Sequence, residues 1–323
     1  MDSINMSIQA KADKSSLKKE SAKMIGLGLC CVFLNEDIKF RRMTATRAQS
    51  LNKKNRLEQL SERILHNAKS LISAIDFCSQ NKIRAFRINS QILPLKTHEK
   101  LGFQLTDLPE NQRIIEEFIK AKELAEKNKI RLSFHPDQFI LLSSPRQSVI
   151  DNSITELIAQ AELAEMIGAD VINIHGGGSY GNKSQALAQL DYHLAKLPRI
   201  VKKRLTLEND DRIYTPLDLL PHCRKHKIPL VYDVHHHRCH PDSQSIEQTT
   251  TKALETWNRQ PLFHISSPKE GWNSKNPRSH HDYIDINDFP EAWLPLELTI
   301  DVEAKAKELA VIKLREDLEK LLK

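Results

Sequence analysis

No uninterrupted apolar run of about eighteen residues, the length a bilayer-crossing helix needs, occurs in this 323-residue chain. Its first two dozen residues, MDSINMSIQAKADKSSLKKESAKM, lack the apolar middle section of a secretory signal. A soluble, cytoplasmic protein without membrane contact is expected. There is no CxxC pair, and the five cysteines are odd in number. Cys30 and Cys31 fall in one predicted strand with side chains on opposite faces, so no structural disulfide is expected. A tetrathiolate zinc site is excluded on the same ground.

What the chain does carry is a positive balance, 48 Lys and Arg against 42 Asp and Glu, for a net charge of +6. That balance suits a polyanionic partner but does not select one, because many enzymes of small substrates are equally basic. Distribution is more telling than the sum. Residues 1–24 are polar, lysine-rich and aperiodic, and read as a disordered basic extension. From residue 25 to 323 the text is that of one globular domain, with 40% hydrophobic residues overall. MIGLGLCCVFL opens it as a strand. A basic loop follows with Lys39, Arg41, Arg42, Arg47, Lys53, Lys54 and Arg56, leading to a helix near 57–80.

Strand and helix patterns then alternate. IRAFRIN, RLSFH, DVINIH, RLTLEN, PLVYDV, PLFHIS and LELTIDV are short apolar runs of strand length. Between them, Ile114, Ile115, Phe118 and Ala125 form one helical stripe. Ile154, Leu157, Ile158, Ala161 and Ala164 form another, ending at Gly168 in a predicted left-handed cap. Further helices are predicted near 184–196, 215–226, 246–257 and 303–322. Nearly continuous apolar strands separated by amphipathic helices imply parallel strands buried on both faces. Eight such units most simply close into an α/β (β/α)₈ TIM-type barrel, with a doubly wound open sheet as the alternative. Polar residues end nearly every strand, whereas an open sheet concentrates them at one switch point, and this favours the barrel.

Those strand ends hold the chemistry. His135, His175, Glu208, Asp233 with His236, His264, His280 and Glu303 supply nitrogen and oxygen donors and no thiolate. A lone histidine at a strand end is more often a hydrogen-bonded structural group. Bringing three carboxylates together in a partly dry barrel mouth, however, costs several kcal/mol per uncompensated ion, and bound metal is the usual compensation. Eight donors exceed the needs of one ion, and a carboxylate such as Glu208 can bridge two, so two or three divalent cations fit the set. Consecutive residues cannot all point inward, so of His235, His236 and His237 only His236 is assigned. His66, His193, His222 and His226 lie on predicted helices and read as surface groups, and Cys239 lacks a partner at useful spacing. Gly176, Gly177 and Gly178 allow a close backbone approach to a phosphate, with a flexible loop as the plainer explanation. Gln138 and Phe139 sit on the rim, where an amide and an aromatic could meet a base; a core phenylalanine is the alternative.

HPDQF, NIHGGG, LEND, YDVHHH, HISSP, SHHDYI and DVEAKAKELAVIKL, in this order and spacing, resemble the UV damage endonuclease family, relatives of the AP endonuclease IV barrels. The resemblance covers residue 25 to the C-terminus. It implies a TIM-type barrel holding up to three divalent metals, manganese first with zinc or magnesium as alternatives. It also implies hydrolysis of the phosphodiester immediately 5′ of a UV photoproduct in double-stranded DNA. By motif, the metal ligands would be His135, His175, Glu208, Asp233, His236, His264, His280 and Glu303, with Glu208 bridging. Glu208, Glu303 and His98 would be catalytic. Gln138 and Phe139 match a Gln-aromatic pair that wedges beside a flipped lesion, and Asn35, Arg41 and Arg42 lie where a first-strand loop meets DNA. Two departures stand out. Leu29 occupies a position where the family commonly has tyrosine, and Leu262 one where a lysine is expected two residues before the strand-seven histidine. The protein would act as a monomer. Other readings are an endonuclease restricted to abasic sites, a metal-dependent sugar isomerase or epimerase, and a DNA-damage binding module that keeps its metal only structurally.

Overall fold

The computed structural model describes residues 25–136 and 139–322. The basic extension and Gln138 lie outside the described residues. Eight short strands run parallel in one sheet: β1 (Gly26–Cys30), β2 (Ala85–Ile88), β3 (Arg131–Phe134), β4 (Val171–His175), β5 (Leu205–Glu208), β6 (Leu230–Val231), β7 (Leu262–Ile265) and β8 (Thr299–Val302). The order is β6-β5-β4-β3-β2-β1-β8-β7, and the first strand pairs with the last, Gly28 opposite Asp301. The remaining seam, between β6 and β7, closes through a single parallel bridge from Asp233 to His264, with the His264 amide donating to the Tyr232 carbonyl at 3.0 Å. This is the (β/α)₈ TIM-type barrel that the alternation predicts.

Helices α1 (Ala45–Gln49), α2 (Lys53–Gln80), α3 (Asn111–Asn128), α4 (Gln147–Ile167), α5 (Lys183–Lys196), α6 (Arg199–Lys202), α7 (Pro216–His226), α8 (Val234–Cys239), α9 (Ile246–Leu254) and α10 (Glu308–Leu321) fill the connections. Local chemistry sets their ends. Asn52 caps α2 by accepting from the Asn55 amide, so the helix starts earlier than the apolar stripe alone indicates. Thr215 and Asp218 form a reciprocal capping box on α7 with Pro216 in its first turn. Gly168 closes α4 at φ 77°, the predicted left-handed cap. No described helix is long and apolar enough to cross a membrane.

Three expectations need correction. The first strand stops at Cys30, because Cys31 adopts φ 65° and leaves the extended ladder. The last helix begins at Glu308 rather than near 303, which leaves Glu303 in the loop after β8. β6 has two residues instead of six, because Asp233 caps α8, its side chain accepting from the His236 amide at 2.7 Å. The capping bond bends the chain into a helix where a longer strand was expected.

The two ends of the barrel serve different purposes. At the N-terminal end Arg131 makes paired hydrogen bonds to Asp170 at 3.0 and 2.9 Å and reaches the Thr299 hydroxyl at 3.0 Å, tying β3 to β8 beneath the core. The C-terminal ends carry the donors described below. On the outside, Asp191 of α5 accepts from His222, His226 and Lys225 of α7 at 2.8, 2.7 and 2.7 Å. His222 and His226 are therefore held in a clasp rather than free on the surface, and His193 is 7% exposed.

Burial would raise the Asp191 carboxyl, but Lys225, His222 and His226 outweigh it and lower it to about 2. A folded-state value below the unfolded one stabilises the protein above about pH 4 and ceases to do so as pH falls through about 2. Asp191→Asn should therefore cost about 2 kcal/mol near neutrality, with the gap to wild type closing between roughly pH 4 and 2. Urea unfolding across that range measures it. A gap that ignores pH would mean the clasp works by hydrogen bonding without charge.

Candidate metal centre at the barrel mouth

Side chains alternate along a strand, so every second residue of a barrel strand faces inward and the last one reaches the mouth. Glu208, at the end of β5, is fully buried there. His135 Nε2 lies 2.9 Å from its Oε2, and His264 Nδ1 and His236 Nδ1 lie 3.2 and 3.4 Å from its Oε1. Asn173, two residues before His175 on β4, donates to Glu208 Oε2 at 2.5 Å. Asp233 Oδ2 is 3.5 Å from His236 Nδ1 and 4.0 Å from His264 Nδ1. Glu303 Oε1 lies 3.3 Å from His264 Nδ1 and accepts from Arg87 at 2.5 Å, while its Oε2 lies 3.9 Å from His280. His175 lies between His135 and His236, its ring tilted against both, with centroids 5.0 and 5.8 Å away.

All eight predicted donors thus come to one place: His175, Glu208 and His264 from β4, β5 and β7, His236 from α8 with Asp233 at its cap, and His135, His280 and Glu303 from the loops after β3, β7 and β8. Seven of them form three overlapping groups whose ligand atoms lie within 4.8 Å of one another: His135, Glu208 and His264; His175, Glu208 and His236; and Asp233, His264 and Glu303. Glu208, whose carboxylate has two oxygens, belongs to two groups, which is the sharing a multi-ion cluster requires, and His264 lies where two groups overlap. His280 stands at the edge, beside Glu303 and His236. The buried Asp233 Oδ2, 3.5 and 4.0 Å from His236 Nδ1 and His264 Nδ1, has no hydrogen-bond partner among the described residues. Buried polar atoms are nearly always paired, so an acid left this way among imidazoles fits a divalent cation.

The electrostatics follow from the packing. Burial would raise the Glu208 carboxyl, but His264, His175 and His135 outweigh it and hold it well below the usual range. Glu303 is treated likewise by Arg87 and His264. The response falls on the imidazoles: against burial, Asp233 and Glu208 push His236 up, and Glu208 pushes His264 up to about 9. His175, where burial prevails, is lowered. Without a cation, protons on His264 and His236 offset the acids.

The histidine triple divides as expected. His237 bonds the Tyr232 hydroxyl at 2.7 Å and Asp242 at 3.2 Å, and buried His235 faces Cys239 and the Trp272 ring. His98 is brought to a different place. It lies in the loop after β2, accepting at Nδ1 from the Lys100 amide at 3.2 Å, and belongs to none of the three donor groups. With Arg42, Lys96 and Phe139 it lines a cavity of about 730 Å³ beside the mouth. Phe139 is 74% exposed, which rules out the core-phenylalanine alternative. Arg41 and Arg42 are exposed as well, on a backbone clamped at Arg41 by both ends of the buried Asn67 amide. Asn35 is exposed, its amide and that of Leu34 held by Glu308 at 2.7 and 2.8 Å. The glycine run is not a loose loop. A Cβ on Gly176 would lie 2.7 Å from Tyr214, and Gly177 has φ 90° with its would-be Cβ 2.4 Å from Ser143.

Reading strand ends alone misses the residues two positions deeper on the same inward face. Asn173 precedes His175 and Asp301 precedes Glu303 in this way, and Arg87 lies on β2 where no donor was assigned. Asp301 is fully buried, and burial raises its carboxyl. The signal available was the period of two itself, applied inward from each donor. Leu262, two before His264, is buried and apolar, so no lysine amine reaches the cluster from that position.

A closed parallel barrel with acids and imidazoles gathered at its C-terminal mouth is the architecture of a barrel enzyme, with its chemistry on that face. Residues 25–323 match the family model of the UV-endonuclease UvdE. UV DNA damage endonucleases of Bacillus cereus strains G9842 and Q1 are 33% and 35% identical, covering 86% and 84% of this chain and 89% and 87% of theirs. The crystal structure of SacUVDE superposes with a TM-score of 0.81 at 26% identity, over 92% of this chain and 99% of that one. Endonuclease IV from Thermus thermophilus, at TM-score 0.57 and 12% identity over 93% and 98% of the two chains, shares the fold. The chain belongs to the UV-endonuclease family and is an endonuclease of UV-damaged DNA.

Cation uptake should release protons at neutral pH, because His264 carries one below about pH 9 until an ion displaces it. Calorimetric titration with Mn²⁺ in buffers of different ionisation enthalpy measures the number. Affinity is expected to rise with pH up to about 9. Proton-neutral, pH-independent binding would contradict the site as described.

Proposed function

We propose that this protein hydrolyses the phosphodiester immediately 5′ of UV photoproducts in double-stranded DNA, leaving a 3′-hydroxyl and a 5′-phosphate. It does so with two or three divalent cations, manganese preferred, acting as a monomer in the cytoplasm or at the nucleoid. The observation that carries this reading is the fully buried Glu208 carboxylate surrounded by three imidazoles, with Asp233 and Glu303 beside it. His135, His175, Glu208, Asp233, His236, His264, His280 and Glu303 would hold the ions, Glu208 being common to two of the donor groups. Bound there, the ions supply water ionised near neutral pH and offset the charge of the phosphate.

The chain's own residues do the rest. Asn173 holds one Glu208 oxygen and Arg87 one Glu303 oxygen, so both carboxylates are oriented before substrate arrives. His98 and Arg42, in the cavity next to the mouth, face the phosphate backbone, and Arg41 and Asn35 extend the contact along the duplex. Phe139, exposed on the rim, would stack in the gap left by a flipped lesion, with Gln138, its neighbour in sequence, as the other half of the wedge. A photoproduct already weakens stacking, so extruding it costs less than extruding a normal pair, by a few kcal/mol.

Glu208→Gln and Glu303→Ala should each abolish nicking of UV-irradiated supercoiled plasmid while the circular dichroism of the folded protein is retained. Phe139→Ala and Gln138→Ala should cut with less preference for irradiated over undamaged plasmid, by roughly tenfold for the loss of one stacked ring. Mapping the cut on a duplex with a single cyclobutane dimer, beside one with a single abasic site, tests the position and the lesion. Full activity of Glu208→Gln would remove the metal reading, and cutting at the abasic duplex alone would replace the photoproduct with the abasic site.

A further inference from the structure

Asp301 has an environment that nothing in the cluster itself explains. It lies on β8 two residues before Glu303, one layer deeper in the barrel, and is paired in register with His264 of β7. It is fully buried, and neither carboxylate oxygen has a hydrogen-bond partner among the described residues. Nε2 of His264 is likewise buried and without a partner, 3.7 Å from Asp301 Oδ2. The other nitrogen of that ring, Nδ1, faces Glu208, Glu303 and Asp233. Space has been cleared for the acid: a Cβ on Gly28 would stand 2.2 Å from Asp301 Oδ1. Leu262, the inward residue below His264, offers no polar atom that could take this place.

We propose that Asp301 is a positioning residue that accepts the Nε2 proton of His264 and thereby fixes the ring with its Nδ1 lone pair toward the cations. The proposal rests on the metal site described above and goes beyond it by assigning a role to an acid that is not a ligand. A histidine that ligates through one nitrogen almost always gives the other N–H to a carboxylate or carbonyl, which sets the tautomer and strengthens the ligand. Asp301 is the group in contact distance of that nitrogen, and His264 serves two of the three donor groups. Holding this one ring therefore fixes the direction of a ligating nitrogen at the point where two donor groups overlap. The rival role is structural. Arg87 has an unpaired Nε, and Asp301 could serve as a buried counter-charge to it.

The two roles predict opposite outcomes in one set of proteins. Free Mn²⁺ measured by electron paramagnetic resonance gives the apparent affinity of full-length wild type, Asp301→Ala and Asp301→Asn, and thermal unfolding of the metal-free proteins gives their stability. Positioning predicts Mn²⁺ binding weakened about 10–100-fold in Asp301→Ala. Most of it should return in Asp301→Asn, whose amide oxygen still accepts. A counter-charge to Arg87 predicts the reverse, an earlier unfolding with Mn²⁺ affinity unchanged, and that result overturns the proposal. Equal weakening in the alanine and asparagine variants also overturns it. Wild type that binds no Mn²⁺ would instead remove the metal site, and the positioning role with it.

Discussion

A carboxylate taken fully out of water must be matched by positive charge, and this barrel is arranged around one such group. Glu208 ends β5 at the axis, where the strands deliver three imidazoles and an amide onto its two oxygens. The cost of desolvating it is several kcal/mol unless compensated. Compensation comes from His264 and His236, both pushed above their ordinary range, and the same protons are the ones a cation would displace. Under the proposed function the mouth would exchange those protons for metal, while Glu208 and Glu303 are held well below the usual carboxylate range by Arg87 and the surrounding imidazoles.

Around this centre the protein separates stiffness from contact. The loop after β1 is pinned through its backbone, by Glu308 at Leu34 and Asn35 and by Asn67 at Arg41, while its side chains stay exposed. The glycines after β4 are pinned too, packed on Tyr214 and Ser143. Under the proposed function this surface meets a charged, deformed duplex, and such preorganisation lowers the freedom lost when the partner binds. Exposed Arg41 and Arg42 are presented from that fixed frame. At the opposite end of the barrel, Arg131 joins β3 to β8 and leaves the mouth free of that task.

Most of this frame was legible in the residues. Alternating apolar strands and amphipathic helices specify a parallel barrel, and in a parallel barrel every strand end lies on the same face, so His135, His175, Glu208, His264 and Glu303 had to converge. Boundaries were less legible where a local bond competes with a pattern. Asp233 belongs to an apolar strand by composition but caps a helix in the fold, and Cys31 leaves the ladder through its backbone angle alone. His98 was assigned a catalytic role through the resemblance alone, and its loop carries it into the neighbouring cavity, outside the three donor groups.

Hydrophobic periodicity and donor type, which are properties of the string of residues, determined the class of fold, the face that carries the chemistry and the ions that suit it. Partner choice was decided only by the closed barrel. Which oxygen of Glu208 meets which imidazole, and which buried acid lies beside His264, depend on lateral register between strands far apart in sequence. The β7 and β8 ladder places Asp301 next to His264, and Gly28 on the next strand leaves room for it. No local pattern encodes that adjacency, because register is set by how the whole sheet closes.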